Sequence, residues 1–231
     1  MFNNTTLIIS GPDTFEFLQA QLTSDLNNIE ADRPPQLSAW CNPKGRVITL
    51  FRIRRAKDCW HLALPGALAD TVSERLTMYR FRSKVDIERG AATADDLGVA
   101  EPLAETDWRR QLVTAGVPYI DAAQSGLFTP HMLNLDRLGA VHFDKGCYPG
   151  QEIVARIHFR GASKRRLRRF SSATPHADGD KLQIAGRDVG EVVNAVGNEL
   201  LAVVPVDGSD FAIGGESLTA EPLPYDTAGA A

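Results

Sequence analysis

The chain has 231 residues, of which 43% are hydrophobic and 23% charged, and its formal net charge is −4 at pH 7. This length can bury one large core or two modest ones, and no apolar run approaches the ~20 residues that a membrane-spanning helix needs. The three cysteines form no CxxC pair and the five histidines are scattered, so neither a disulfide framework nor a metal site is predicted. The first residues lack the pattern of a signal peptide, which predicts a cytoplasmic protein.

The first elements read as a strand followed by a helix. Residues 5–9 predict a short strand. Asp13, followed three residues later by Glu16, predicts a capping box, and apolar residues at helical spacing predict a helix that reaches Ile29.

The middle of the chain is predicted to be mainly β, with a hairpin turn at Asn42-Pro43-Lys44-Gly45, where a fixed φ is followed by a residue that tolerates positive φ. A connection without clear periodicity covers residues 90–105. The other predicted elements are strands within 36–64, a helix over 64–79, a strand over 84–87 and a short helix over 107–115.

The last third predicts a different kind of structure. Short strands separated by Gly/Asp turns favour a small barrel or sandwich, with a boundary near residue 161. The elements before this boundary favour an α+β fold over a parallel βαβ sheet. The predicted strands are 167–171, 181–184, 188–196, 200–206 and 216–223.

The most unusual local sequence runs from Asp144 to Glu152, where two glycines flank Cys147. One interpretation is a reactive or ligand-contacting cysteine whose thiolate is favoured by the nearby Lys145. The other is a small buried hydrophobic residue, with Lys145 and Glu152 forming an ordinary salt bridge. Gln151 and Glu152 are predicted to lead into an apolar strand over 153–155.

A basic segment follows, with seven Lys/Arg and no acid between Arg156 and Arg169, while the rest of the chain carries −11. Such a segment favours a local anion site. The alternative is a pair of solvated strands whose charges protect a sheet edge. The seven cations are Arg156, Arg160, Lys164, Arg165, Arg166, Arg168 and Arg169.

Residues 145–152 read Lys-Gly-Cys-Tyr-Pro-Gly-Gln-Glu and resemble the K-G-C-Y-x-G-Q-E signature of the YgfZ family of folate-binding proteins. The resemblance continues over 153–156 and 160–165. It spans nearly the whole chain in the right order, because further blocks match at 11–13, 17–25, 42–46, 82–85, 128–135 and 221–225.

The YgfZ family shares its fold with the tetrahydrofolate-dependent aminomethyltransferase of glycine cleavage. The resemblance therefore implies an α+β fold with lobes around a central folate cavity and a small C-terminal β-barrel. The implied domains are a folate-binding region over 1–160, made of two interleaved lobes with the second at roughly 36–105, and a barrel over 161–231.

The resemblance also implies a function. Family members bind tetrahydrofolate or a one-carbon derivative and support iron–sulfur cluster assembly or repair, and with it cluster-dependent tRNA modification. The implied partners are folate and iron–sulfur enzymes or cluster-assembly proteins. Cys147 matches the essential thiol, with Lys145 beside it. Candidates for the folate are Trp108 for stacking, signature residues, and arginines for the anionic tail: Trp108, Tyr148, Gln151, Glu152, Arg82, Arg156 and Arg160.

Two other functions stay open at this point. Thr49-Leu50 stand where the aminomethyltransferases carry an Asp-Asp pair, so aminomethyl transfer is not expected unless another acid replaces it. A one-carbon transferase is therefore the alternative. The third hypothesis is a weak tRNA contact, which has little support for base stacking because few aromatic residues are interleaved. Its residues are Arg156, Arg160, Lys164, Arg165 and Arg166.

Overall fold

The computed structural model describes residues 3–101 and 103–225, which form two compact units. The first unit contains the described residues up to Ala104, together with Ile120–Pro130 and Gly139–Ala155. The second contains Glu105–Tyr119, His131–Leu138 and the described residues from Arg156 onward. The domain boundary expected near residue 161 stays a prediction.

The first unit is built on a five-stranded antiparallel sheet in the order β2-β3-β4-β1-β5. Its strands are β1 (Asn4–Ser10), β2 (Gln36–Cys41), β3 (Val47–Arg55), β4 (Cys59–Pro65) and β5 (Asp86–Ala91). Its helices are α1 (Thr14–Gln19), a 3-10 turn (Leu26–Asn28), α2 (Gly66–Tyr79) and α3 (Ala94–Leu97).

One face of this sheet forms the core of the first unit. Helix α2 buries an apolar stripe, Leu68, Val72 and Leu76, in the same cluster as strand residues such as Leu7 and Leu62. Residues spaced by three and four along a helix share one face, and alternate residues along a strand share one face, so both patterns point to this core. The opposite face of the sheet carries Thr6, Arg52, Arg54 and His61 beside apolar residues such as Leu37 and Ala63.

The second unit contains α4 (Glu105–Ala115) and a seven-stranded sheet in the order β11-β10-β7-β8-β9-β6-β12. Only Leu218 separates the two outermost strands along the chain, so the sheet curls into a nearly closed barrel. This confirms the predicted mixture of helix and sheet with a C-terminal barrel. The strands are β6 (Arg165–Ser171), β7 (Lys181–Ile184), β8 (Arg187–Val196), β9 (Glu199–Pro205), β10 (Ala212–Ile213), β11 (Glu216–Ser217) and β12 (Thr219–Glu221).

The predicted helix from Asp13 to Ile29 is wrong in length. Helix α1 ends at Gln19, and Leu22 instead forms an isolated β-bridge with Trp40. The predicted capping box is also wrong, because the Asp13 carboxylate makes no bond to its own helix and accepts the Lys84 backbone N–H at 2.7 Å. A tertiary contact thus replaces the local one.

The predicted strand at 153–155 is wrong too, since these residues lie in a fifth helix, α5 (Gln151–Arg160). Its first turn is closed by the Val154 N–H, which donates to the Gly150 carbonyl at 3.2 Å. A run of three apolar residues does not distinguish a strand from a helix by its pattern. The predicted connection at 90–105 likewise contains the end of β5 and the whole of α3.

Candidate functional site

The signature loop, residues 145–150, has no regular secondary structure and leads directly into α5. Gly150 lies in the left-handed region, with φ 79°. A Cβ at this position would clash with the Asn42 carbonyl oxygen and lie 2.7 Å from the Gly45 Cα. Glycine is therefore required at position 150 by both conformation and space. The β2–β3 turn and the signature loop approach each other through their backbones.

Lys145 fixes the start of the loop. Its ammonium group donates to three backbone carbonyls, those of Gln19, Leu22 and Ser24, at 2.7, 2.7 and 2.8 Å. A lysine has three N–H donors, so its hydrogen-bonding capacity is filled. The salt bridge between Lys145 and Glu152, which one interpretation of the sequence expected, is not formed.

Burial of this lysine has an electrostatic cost. Desolvation lowers the pKa of Lys145 to about 8, although the charge of Asp25 acts in the opposite direction. Asp25 in turn accepts from Gln19 Nε2 at 2.8 Å. Lys145 thus holds the loop on the last residue of α1 and on the segment that follows it, and its ammonium is already engaged there.

Tyr148 points inward from the same loop. Its hydroxyl oxygen is buried and makes no hydrogen bond to any described residue. Burial raises the pKa of this hydroxyl, and the Cys41 thiol adds to the shift. The ring lies 5.5 Å from the Lys145 ammonium, within cation–π range.

Cys147 is the exposed thiol among the three free cysteines. Burial raises the pKa of Cys41 to about 12, which keeps that thiol protonated, and it also raises the pKa of Cys59. The alternative interpretation of Cys147 as a small buried hydrophobic residue is therefore wrong. Its thiol lies at a cleft of about 450 Å³ that Pro43, Tyr148 and the first residues of α5 also line. The loop presents one accessible thiol beside a space that can hold a ligand group.

The chain is similar in sequence to known proteins. The tRNA-modifying protein YgfZ of Klebsiella pneumoniae (strain 342) is 32% identical over 94% of this chain and 89% of its own length. The chain belongs to the YgfZ family. The YgfZ protein of Escherichia fergusonii is 29% identical over 87% of this chain and 79% of its own. No family model matches the chain.

A solved structure shares the fold. The glycine cleavage system aminomethyltransferase T from Bartonella henselae superposes with a TM-score of 0.74, over 96% of this chain and 84% of its own, at 14% identity. The resemblance of this YgfZ-family chain to that fold, expected from sequence, is thereby shown. At this identity the superposition speaks for the fold alone.

The other predicted site residues of this YgfZ-family chain lie in different surroundings. Trp108 is 4% exposed in the second unit and meets Tyr119 edge-on, with ring centroids 5.4 Å apart. Gln151 is half-buried and Glu152 exposed at the start of α5. Their roles toward folate stay predictions. The three candidate arginines, Arg82, Arg156 and Arg160, are all exposed.

Thr49 and Leu50, at the positions of the Asp-Asp pair, are both buried in β3. The Thr49 hydroxyl donates to the Leu50 carbonyl at 3.3 Å. Neither side chain can exchange a proton near neutral pH, so this pair supplies no general acid.

Most arginines of the basic segment bind carbonyl or carboxylate groups within the second unit. Arg166 forms a bidentate pair with Asp136 at 2.6 and 2.9 Å, and Arg165 donates to the Val189 carbonyl at 2.6 Å. Arg168 and Arg169 are engaged as well, with the Gly208 carbonyl and Glu199. Strand β6 lies between β9 and β12 in the sheet, so the edge-protection interpretation is wrong. Arg156, Arg160 and Lys164 remain exposed.

Sequence reasoning missed a buried polar cluster in the first unit. The Asp96 carboxylate is bound by Thr6 Oγ1 at 2.9 Å and Arg54 Nε at 2.8 Å, and His61 Nδ1 lies 2.8 Å away. Backbone and side-chain hydrogen bonds outweigh burial and lower the pKa of Asp96 to about 2. The pattern Thr93-x-x-Asp96, a capping box that the structure forms, was the available signal.

Within the described residues, no group of three or more His, Cys, Asp or Glu side chains could hold a metal ion. No helix in that same part of the chain is long and apolar enough to cross a bilayer.

Proposed function

We propose that this chain is a cytoplasmic folate-binding accessory protein that supports iron–sulfur enzymes and, through them, tRNA modification, with Cys147 as its functional thiol. The observation that carries the proposal is the exposed Cys147 on a loop fixed by Lys145 and Gly150. The relatives named for tRNA modification and the shared fold with an aminomethyltransferase support it.

The loop suits a thiol that must meet a second molecule. Lys145 donates to three backbone carbonyls and so restrains the loop, which lowers the entropy that Cys147 loses when it engages a partner. One cysteine does not make a stable cluster site, which takes about four ligands. Cys147 therefore acts with ligands from a partner, as one thiol ligand or as a redox-active thiol.

The candidate residues for folate binding are found in both units. Tyr148, Gln151 and Glu152 lie at the cleft beside Cys147. Trp108 is buried, so stacking of a pterin on its indole requires its present neighbours to move. A bound folate would supply a reduced pterin that can carry one-carbon groups. The predicted central folate cavity stays a prediction.

The tRNA contact in this proposal is weak and runs through Arg156, Arg160 and Lys164, which are exposed. Arg165 and Arg166 take no direct part, because their guanidinium groups are engaged within the second unit. In this proposal, direct contact with tRNA is secondary to the role of Cys147.

The proposal is tested in two steps. Tetrahydrofolate is titrated into the wild type and Trp108→Ala, with tryptophan fluorescence and calorimetry as readouts; saturable binding that weakens in the variant is expected. Cells that depend on this protein are then assayed for a cluster-dependent tRNA modification with Cys147→Ala and, as a matched control, Cys59→Ala. Loss with Cys147→Ala alone supports the proposal, and full activity of Cys147→Ala would sink it.

A further inference from the structure

Arg52 lies on β3, on the sheet face opposite the core of the first unit. Leu37 on β2 and Ala63 on β4 are its direct cross-strand neighbours, and paired residues of antiparallel strands project to the same face. Neither side chain can accept a hydrogen bond. The Arg52 side chain is half-buried.

The Arg52 guanidinium has no hydrogen bond, ion pair or aromatic contact with any residue that the structure describes. Burial lowers the pKa of Arg52, as expected for a cation withdrawn from water without compensation. A half-buried charge without a protein partner is costly, so the position of Arg52 calls for an explanation.

Asp96, the buried carboxylate that contacts the same face of the sheet, already has hydrogen-bond partners on both of its oxygens. Asp96 Oδ1 accepts from Arg54 at 2.8 Å and lies 2.8 Å from His61 Nδ1. Its Oδ2 accepts from Thr6 at 2.9 Å and from the Thr93 N–H at 3.1 Å. Asp96 therefore neutralises Arg54 and leaves Arg52, two residues away on the same strand, with its charge uncompensated.

We infer that Arg52 is an anion-binding residue of the first unit and that it takes a carboxylate of the glutamate tail of the bound folate. The inference rests on the proposed folate binding. A guanidinium binds a carboxylate through two parallel N–H···O bonds, and a partly dehydrated site strengthens them. Arg52 fits this role better than Arg82, Arg156 and Arg160, which are exposed to water.

The test compares wild type, Arg52→Met and the control Arg75→Met, an exposed arginine on α2. Calorimetry with tetrahydrofolate and with 6-methyltetrahydropterin, which lacks the tail, separates the two ends of the ligand. We expect Arg52→Met to weaken the binding of tetrahydrofolate about 10- to 100-fold and to leave the affinity for the tail-less pterin unchanged. The Tm measured without ligand should stay the same or rise. Arg75→Met should change none of these.

The outcomes separate this inference from the proposed function. Equal tetrahydrofolate affinity in the wild type and Arg52→Met overturns the role of Arg52 and leaves folate binding standing. Absence of tetrahydrofolate binding to the wild type overturns the folate proposal. In that case inorganic phosphate is titrated against both proteins: stabilisation lost in Arg52→Met supports an anion site at Arg52, and equal or absent stabilisation overturns it.

Discussion

Gly45 and Gly150 pack backbone against backbone, since a side-chain carbon built on Gly150 would lie 2.7 Å from the Gly45 Cα. Gly45 ends the β2–β3 turn and Gly150 ends the signature loop, and both adopt positive φ, 68° and 79°. The contact leaves no room for a side chain between the two segments. The position of Cys147 therefore depends on a hairpin about a hundred residues earlier in the chain.

Gly150→Ala should destabilise the first unit by about 2 kcal/mol or more, because the added methyl meets backbone atoms and the left-handed conformation is strained. Gly146→Ala is the matched control, since nothing lies within 4 Å of a Cβ built there. Urea unfolding measures both variants. Equal stabilities would show that the two loops do not pack closely in solution.

Lys145→Met should lower the free energy of unfolding by about 2–3 kcal/mol, because three carbonyls lose a charged donor. The rate at which a disulfide reagent modifies Cys147 should also change, since the loop loses its anchor. Lys57→Met, at an exposed position of the same unit, is the control. A fully stable Lys145→Met protein would contradict the anchoring role.

Acid should selectively weaken the first unit through Asp96. Its pKa in the folded protein is about 2, below the usual 3.8, so its contribution to stability is complete above about pH 4 and is lost as pH falls through 2. The contribution is roughly 2 kcal/mol. Unfolding free energies from pH 5 to 2 should therefore fall more steeply for the wild type than for Asp96→Asn, which has no carboxylate to titrate. Parallel curves would exclude this role for Asp96.

The basic segment should separate into structural and exposed cations. Arg166→Met should destabilise the second unit by about 3 kcal/mol, because it leaves Asp136 half-buried without its bidentate partner. Joint replacement of Arg156, Arg160 and Lys164 by Gln should leave Tm nearly unchanged. That variant should bind tRNA more weakly, with the slope of log K against log salt reduced by about 2. An unchanged slope would exclude these cations from a tRNA contact.

Much of the fold follows from local sequence. Strand β7 occupies the predicted residues, α4 begins two residues before its predicted start, and the Asn42–Gly45 turn forms because its sequence suits only a few conformations. The signature around Cys147 predicted the family directly from residue identity. These features depend on interactions between residues that are close in the chain, and such interactions can be inferred from the sequence.

Other features depend on strand register and on segments distant in sequence. The sequence does not show that Lys145 binds carbonyls at and just after the end of α1, or that Arg54 is paired with Asp96 while Arg52 is not. It also predicted one long helix where a bridge to Trp40 ends α1 early. Local patterns thus determined most of the elements and the identity of the thiol, but not the length of α1 or the helix at 153–155. Tertiary structure decided which charges are neutralised and which thiol reaches solvent, because burial and pairing arise only when distant segments meet.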